Sequence, residues 1–282
     1  RRRHTRYWRD WSSDVCSSDL SVSAASTTAT VDSRYRDSNN YTITISGIPG
    51  SGNVQLASDT GTVTIGSLNG ADGVQGLLLG TSNDTAASTY FASTPTISIQ
   101  TLAAQTAGTI QFNDLLGFSI GTVFGVNGVT AGNAGVSSTG SITQDQPLIV
   151  SGIFAASVTG PGNVIRLENA NNNVGSVLLQ SGDGAISFRD KSSLVVLGIT
   201  AGGSGSNIGL RVDSGEVTSA PGNYGGLTGT GAIIATGAGL ALLGGANFRL
   251  EILAGGLPLN DVDNIGINMI GNNAIYLFQI GR

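Results

Sequence analysis

Gly140-Ser141-Ile142-Thr143-Gln144, followed three residues later by Leu148-Ile149-Val150-Ser151-Gly152, reads as two short strands around a turn. Aliphatic side chains alternate with small polar ones, the period-two pattern of a strand with one face in a core. The pattern is echoed by Gly215-Glu216-Val217-Thr218-Ser219 and again by Gly229-Thr230-Gly231-Ala232-Ile233-Ile234. Similar runs continue outward on both sides: Tyr41-Thr42-Ile43-Thr44-Ile45, Thr62-Val63-Thr64-Ile65, Thr109-Ile110-Gln111-Phe112, Ala185-Ile186-Ser187-Phe188 and Phe248-Arg249-Leu250-Glu251-Ile252. Between them lie clusters of Gly, Asn, Ser and Asp, the residues that supply turns. Strands recur about every 11 residues, a spacing that sandwiches and barrels share. The pattern runs unbroken from about residue 43 to residue 275 with weak self-similarity, which favours a solenoid. The expected fold is all-β: a right-handed parallel β-helix with about 20–25 residues per coil.

Composition agrees. Gly supplies 43 of 282 residues, charged residues are 11% and aromatic residues 6%. With 40% hydrophobic residues and a mean hydropathy of +0.16, this is not a solvated disordered tail. Gly follows no triplet period and Pro numbers only 6, so collagen is excluded. A formal charge of −5 argues against a nucleic-acid groove or an anionic membrane surface. Each coil of a β-helix turns aliphatic residues inward, shows small polar ones outside and turns its corners on Gly and Asn. Helices are not expected, because Gly interrupts every candidate window and each interior Gly costs about 1 kcal/mol relative to Ala.

Arg1 to Leu20, RRRHTRYWRDWSSDVCSSDL, stands apart from the rest. It holds both Trp, the only Cys (Cys16), the only His (His4) and five of the 13 basic residues. Its second half resembles a translated sequencing-adapter oligonucleotide, so 1–20 is read as non-native and disordered. The alternative is a basic targeting arm, although no apolar stretch follows to make it a secretory signal. Residues 21–282 are read as the solenoid region, a fragment of a longer protein. Without the segment, eight basic and fifteen acidic residues remain, a net charge of −7, with no Cys, His or Trp. That inventory removes Ser-His triads, Cys nucleophiles, thiolate or imidazole zinc sites, haem ligation and iron–sulfur clusters.

Three elements of the middle of the chain carry a family resemblance. They are Gly140 to Gly152, then Asn163-Val164-Ile165-Arg166-Leu167-Glu168-Asn169-Ala170-Asn171-Asn172-Asn173-Val174-Gly175-Ser176-Val177, then Asp190-Lys191-Ser192-Ser193-Leu194-Val195-Val196-Leu197-Gly198. In this order they resemble the strand repeats of filamentous-haemagglutinin-like and autotransporter adhesins, with Val174 where the family carries an aromatic residue. The likeness covers about residues 140–255 and is compositional elsewhere. It implies a β-solenoid passenger of Gram-negative type V secretion, an outer-membrane translocator as partner, an extracellular or outer-surface location, and adhesion or surface display. It brings no catalytic residues.

The chemical candidates each have a plain reading. Asn169, Asn171, Asn172 and Asn173 are read as turn caps rather than a ligand-reading cluster. Asp261 and Asp263, spaced i, i+2, would share one side of a strand and could hold Ca²⁺; as turn residues beside Asn260 and Asn264 they need no metal. Asp183-Gly184 is a lone fragment of a calcium repeat, and Gly202-Gly203-Ser204-Gly205-Ser206 precedes no helix that would make it a phosphate loop. Asn40-Tyr41-Thr42 and Asn83-Asp84-Thr85 fit the glycosylation sequon. Leu227 to Phe248, free of charge, is read as buried rungs rather than a membrane span. Arg166, Glu168, Arg189, Asp190 and Lys191 could meet across rungs as the charge set of a polysaccharide lyase or glycosidase, one alternative to the adhesive reading; a tail-fibre or surface-layer-like structural array is the other. No catalytic, cofactor-binding or metal-binding residue is assigned, and no cofactor. The expected partner is a surface glycan or protein, or a second copy of the chain, and not a nucleic acid.

Overall fold

The computed structural model describes residues 19–23, 33–37, 40–46, 52–69, 74–81, 87–92, 97–203, 206–244, 247–250, 260–269 and 275–277. Every regular element among them is a strand, and the main sheet is parallel throughout, wound as a right-handed β-helix. One row of rungs passes through Asp19–Ser23, Tyr41–Ser46, Thr62–Asn69, Thr89–Phe91, Thr109–Asp114 and Asn133–Ser138. It continues through the second half of Leu148–Val158, Asn173–Ser181 and Leu194–Ala201 to Ile233–Gly244 and Asn260–Met269. A second row stacks Ser33–Asp37, Asn53–Ser58, Val74–Gly80 and Ile99–Gln105. Past residue 117 that face divides into two short rows. One follows Phe118–Ile120, Ile142–Gln144, Ile165–Leu167, Ile186–Asp190 and Ile208–Val212. The other begins at Val129–Ala131 and reaches Glu216–Ser219 and Asn247–Leu250.

Register explains why these strands form. Ile142, Ile165, Ile186 and Ile208 are direct partners on successive rungs, and each is at most 1% exposed. The first row does the same with Ala134, Phe154 and Val177, and with Val136, Ala156 and Leu179. Like side chains therefore pack on one another at the ~4.8 Å rung spacing, and a slip by one residue would turn the whole column outward. The partners lie 23, 21 and 22 residues apart along the isoleucine column, within the coil length expected.

Residues 1–18 of the segment read as non-native lie outside the described residues, and Asp19 and Leu20 begin the strand that pairs with Tyr41–Ser46. Two sequence expectations change. The echoed motifs are not equivalent positions: Ile142–Gln144, Glu216–Ser219 and Ile233 fall in three different rows, so the echo reflects strand chemistry rather than repeat phase. Leu227 to Phe248 is not all rungs, because Leu227–Gly229 is one arm of a lateral hairpin.

Two such hairpins interrupt the coils. Thr122–Val123 pairs with Val126–Asn127 through Phe124 and Gly125, whose φ values are +50° and +80°. Gly222–Tyr224 pairs with Leu227–Gly229 through Gly225 and Gly226, at +60° and +83°. Positive φ at both central residues is the signature of a two-residue type I′ turn. Each hairpin folds back over the outer face. Val123, Val126 and Phe124 cover Leu78 and Ala103, while Tyr224 and Leu227 cover Ala155, Leu178 and Leu197. The Arg34 guanidinium sits 4.2 Å above the Phe124 ring, which adds a cation–π contact.

Gly128 closes the first hairpin, donating to the Gly121 carbonyl at 2.8 Å with φ +71°, and a Cβ there would lie 2.0 Å from the Pro147 carbonyl oxygen. Gly162 has a similar φ of +70° but open space around it. Gly128→Ala is expected to cost about 3 kcal/mol or more, against about 1–2 kcal/mol for Gly162→Ala, read from urea unfolding midpoints. Equal losses at the two positions would mean that the rung contact at Gly128 carries no weight.

Candidate functional site

The asparagine cluster is consumed by the fold. Asn172 is fully buried. Its Oδ1 accepts from Leu148 N at 2.9 Å, and its Nδ2 donates to the Leu167 carbonyl at 3.2 Å and the Arg189 carbonyl at 2.9 Å. One side chain thus ties three consecutive rungs, with Gln144 joining from the first. Asn169 caps its own turn by accepting from Asn171 N at 2.9 Å, and Asn173 accepts from Ser192 Oγ at 2.8 Å. Asn171 is exposed. Asn169 and Asn172 thus take the backbone-bonding role read from the sequence, whereas Asn173 meets a side chain and Asn171 caps nothing among the described residues.

The charge set does not assemble as a catalytic cluster. Asp190 points inward and is fully buried, ending the inward series Ile186, Phe188, Asp190. Its Oδ2 accepts from Val174 N of the preceding rung at 2.8 Å and its Oδ1 from Ser192 N at 2.9 Å. Burial outweighs these bonds and the nearby Lys191 charge, and pushes its pKa up to about 6. Asp114 repeats the device after Ile110 and Phe112, accepting from Ile99 N of the preceding rung and from Leu116 and Gly117 N. Burial raises its pKa too. Arg189 donates two hydrogen bonds to Asp213, at 2.9 and 2.8 Å, and Arg211 a third at 2.8 Å. Burial raises the Asp213 carboxyl, but the bonds and charges of both arginines together hold it below the ordinary value. Arg166, Glu168 and Lys191 stay exposed.

The remaining motifs are mostly corners. Asn40 Oδ1 accepts from Thr62 N at 2.6 Å, another rung-to-rung cap, and Asn83 lies outside the described residues. Gly202-Gly203 leads from one strand to the next and opens no helix; Ser204 and Gly205 lie outside the described residues. Gly162 N donates to the Asp183 carbonyl at 2.8 Å, placing Asp183-Gly184 at a rung contact. Asp261 and Asp263 lie within the strand Asn260–Met269 rather than in a turn. Among the described residues no three His, Cys, Asp or Glu side chains gather as a metal site. No helix long and apolar enough to cross a membrane occurs among them.

Sequence reasoning missed a concavity on the outer face. Beyond the tip of the second hairpin, the outer face of the first row encloses a cavity of about 450 Å³. Its floor is a register-matched column, Phe91, Gln111, Gly135 and Ala155, flanked by Asn113, Ser137 and Ser157 on three successive rungs. Gly225, Gly226 and Leu227 form the far wall. The hairpin reaches this position because Gly135 lets it close: a Cβ there would come within 3.1 Å of the Tyr224 ring. Tyr224 Oη is buried and completes no hydrogen bond of ordinary geometry; burial pushes its pKa up, with the Thr109 side chain opposing. The one signal in the sequence was Tyr224-Gly225-Gly226-Leu227, a hairpin turn lying beside a long uncharged stretch.

The fold and these surfaces define the chain as a parallel β-solenoid with lateral hairpins. No family model, curated protein or solved structure matches it.

Asn172→Ala should destabilise the chain by about 3 kcal/mol or more, since it leaves Leu148 N and two buried carbonyls unpaired at about 1–3 kcal/mol each. A change below 1 kcal/mol in the unfolding midpoint would remove Asn172 from the framework. The buried aspartates set a pH dependence. A carboxyl whose folded pKa lies above its unfolded 3.8 holds its proton more tightly in the folded chain. Its contribution is therefore present below about pH 4 and is withdrawn as the pH rises through about 6. Melting temperatures measured from pH 4 to 7.5 should fall across that window, and Asp190→Asn should flatten the slope. An unchanged slope in the variant would assign the effect elsewhere.

Proposed function

We propose that the chain is a non-catalytic structural and adhesive repeat segment of a large secreted or surface-displayed bacterial protein. The observation that carries this reading is the fate of the polar residues. The side chains that resembled a ligand or catalytic set, Asn172, Asp190 and Arg189, are engaged in holding rungs together. The exposed positions carry many small polar side chains, with charged ones such as Arg166, Glu168 and Lys191 scattered among them, a surface suited to broad contact. The resemblance of residues 140–255 to filamentous-haemagglutinin-like and autotransporter adhesins supports the same reading. With it come a Gram-negative host, export through an outer-membrane translocator, and an extracellular location.

Beads coated with the full chain should adhere to bacterial or epithelial cell surfaces above beads coated with an unrelated β-helix. Release of reducing ends or unsaturated products from any of a panel of polysaccharides, abolished by Glu168→Gln, would replace this reading with a polysaccharide-active enzyme. Adherence no greater than the control would remove the adhesive role.

A further inference from the structure

The cavity beside the second hairpin has a chemistry of its own, and we infer that it binds a neutral saccharide. This deepens the adhesive reading by naming a ligand class and a place for it. Many polar side chains of the solenoid are spent on the backbone: Asn133 caps Ile153 N at 2.9 Å, Asn163 reaches the Thr139 carbonyl at 2.7 Å, and Ser138 holds Gly140 N at 3.0 Å. Gln111, Asn113, Ser137 and Ser157 differ. None of these four side chains hydrogen-bonds within the described protein, and all four line the same concavity.

Charge narrows the ligand. No charged side chain lines the cavity among the described residues, so nothing balances an anion or a cation there. The net charge of −5 disfavours nucleic acid further. A peptide adding as a strand needs an open sheet edge, whereas this face presents side chains from rungs paired on both sides. What remains is a neutral molecule rich in hydroxyls, met by amides that donate and accept and by hydroxyls that do both.

Geometry suits a chain of sugars. Asn113, Ser137 and Ser157 pair directly on consecutive rungs, so their polar groups repeat at ~4.8 Å, close to the length of one pyranose ring. The small residues Gly135 and Ala155 beside them lie under the hairpin and keep that end of the floor low. Phe91, partly exposed at the end of the column, supplies apolar surface for the less polar side of a sugar. The hairpin tip blocks the opposite end. A cavity of about 450 Å³ thus takes a short stretch of neutral polysaccharide lying along the solenoid axis.

Isothermal titration calorimetry on the full chain tests this with cellohexaose, maltohexaose and mannohexaose, and with hexagalacturonate as the anionic comparison. At least one neutral hexasaccharide should bind in the micromolar to millimolar range, and hexagalacturonate more weakly. Gln111→Ala should lose about tenfold in affinity, as for one lost hydrogen-bonding group, and Ser137→Trp, which fills the cavity, should abolish binding. Both positions lie on the outer face, so melting temperatures check that the variants remain folded, and Phe91→Ala provides a third variant. Absence of heat with all three neutral probes, tighter hexagalacturonate binding, or unaltered affinity in folded Gln111→Ala and Ser137→Trp would overturn the inference. Failure of the adhesive reading is separable. Beads that adhere equally with and without Ser137→Trp leave adhesion standing without this site, and saccharide binding without bead adherence leaves the site standing without adhesion.

Discussion

The structure depends on vertical register: each rung must set its inward side chains on those of the rung before. The column Ile142, Ile165, Ile186, Ile208 states the constraint in its simplest form, four like residues in direct partnership and out of solvent. No rung has a core of its own, since the interior is only as wide as the side chains that meet across it. Each coil is stable only because its neighbours bury its face, which couples local unfolding to the ends of the stack. The parallel backbone ladder and the side-chain columns enforce one another. A slip by one residue would break the second without harming the first.

Register must hold through the corners, and there the chain uses buried polar groups as fasteners. Asp114 and Asp190 each occupy the inward position that would otherwise continue an aliphatic series, and each reaches a backbone N–H of the preceding rung. Asn172 fastens the rungs on both sides of it. A polar atom buried without partners would cost more than it secures, so these positions work only while the backbone groups they bind stay fixed. The raised carboxyl pKa values show the tension directly: burial resists the charge that the hydrogen bonds favour.

The rungs and the coil length were legible in the sequence because a two-residue period and a repeated corner chemistry are local signals. The phase of the repeat was not. Ile142, Glu216 and Ile233 open similar motifs yet sit in different rows, since any strand with one buried face carries the same alternation. The hairpins were hidden for a related reason. Tyr224-Gly225-Gly226-Leu227 is a readable turn, but an uncharged Gly-rich surrounding makes an arm and a rung look alike. Inward-phase Asp114 and Asp190 were the legible anomaly: an acid placed where Ile110-x-Phe112 and Ile186-x-Phe188 set an inward beat belongs to the interior.

Hairpin insertion is where such a fold can acquire specificity. A uniform solenoid repeats the same shallow face along its length and offers a ligand no particular place to stop. Between Ile199 and Ile233 the chain spends 34 residues on one coil, and the surplus folds back over Ala155, Leu178 and Leu197. The first row resumes across the insertion, with Ile199 to Ala201 pairing Ile233 to Ala235, and its register shifts at Leu197 and after Ala235. The outer columns beneath it have adapted in size, with Gly135 opening to admit Tyr224. Where the arm ends, the covered trench becomes an open one, and the polar side chains that line it are among those the framework leaves unbound. The constraint that consumes Asn172 and Asp190 at the corners does not reach these outward positions, whose polar side chains stay available to a ligand.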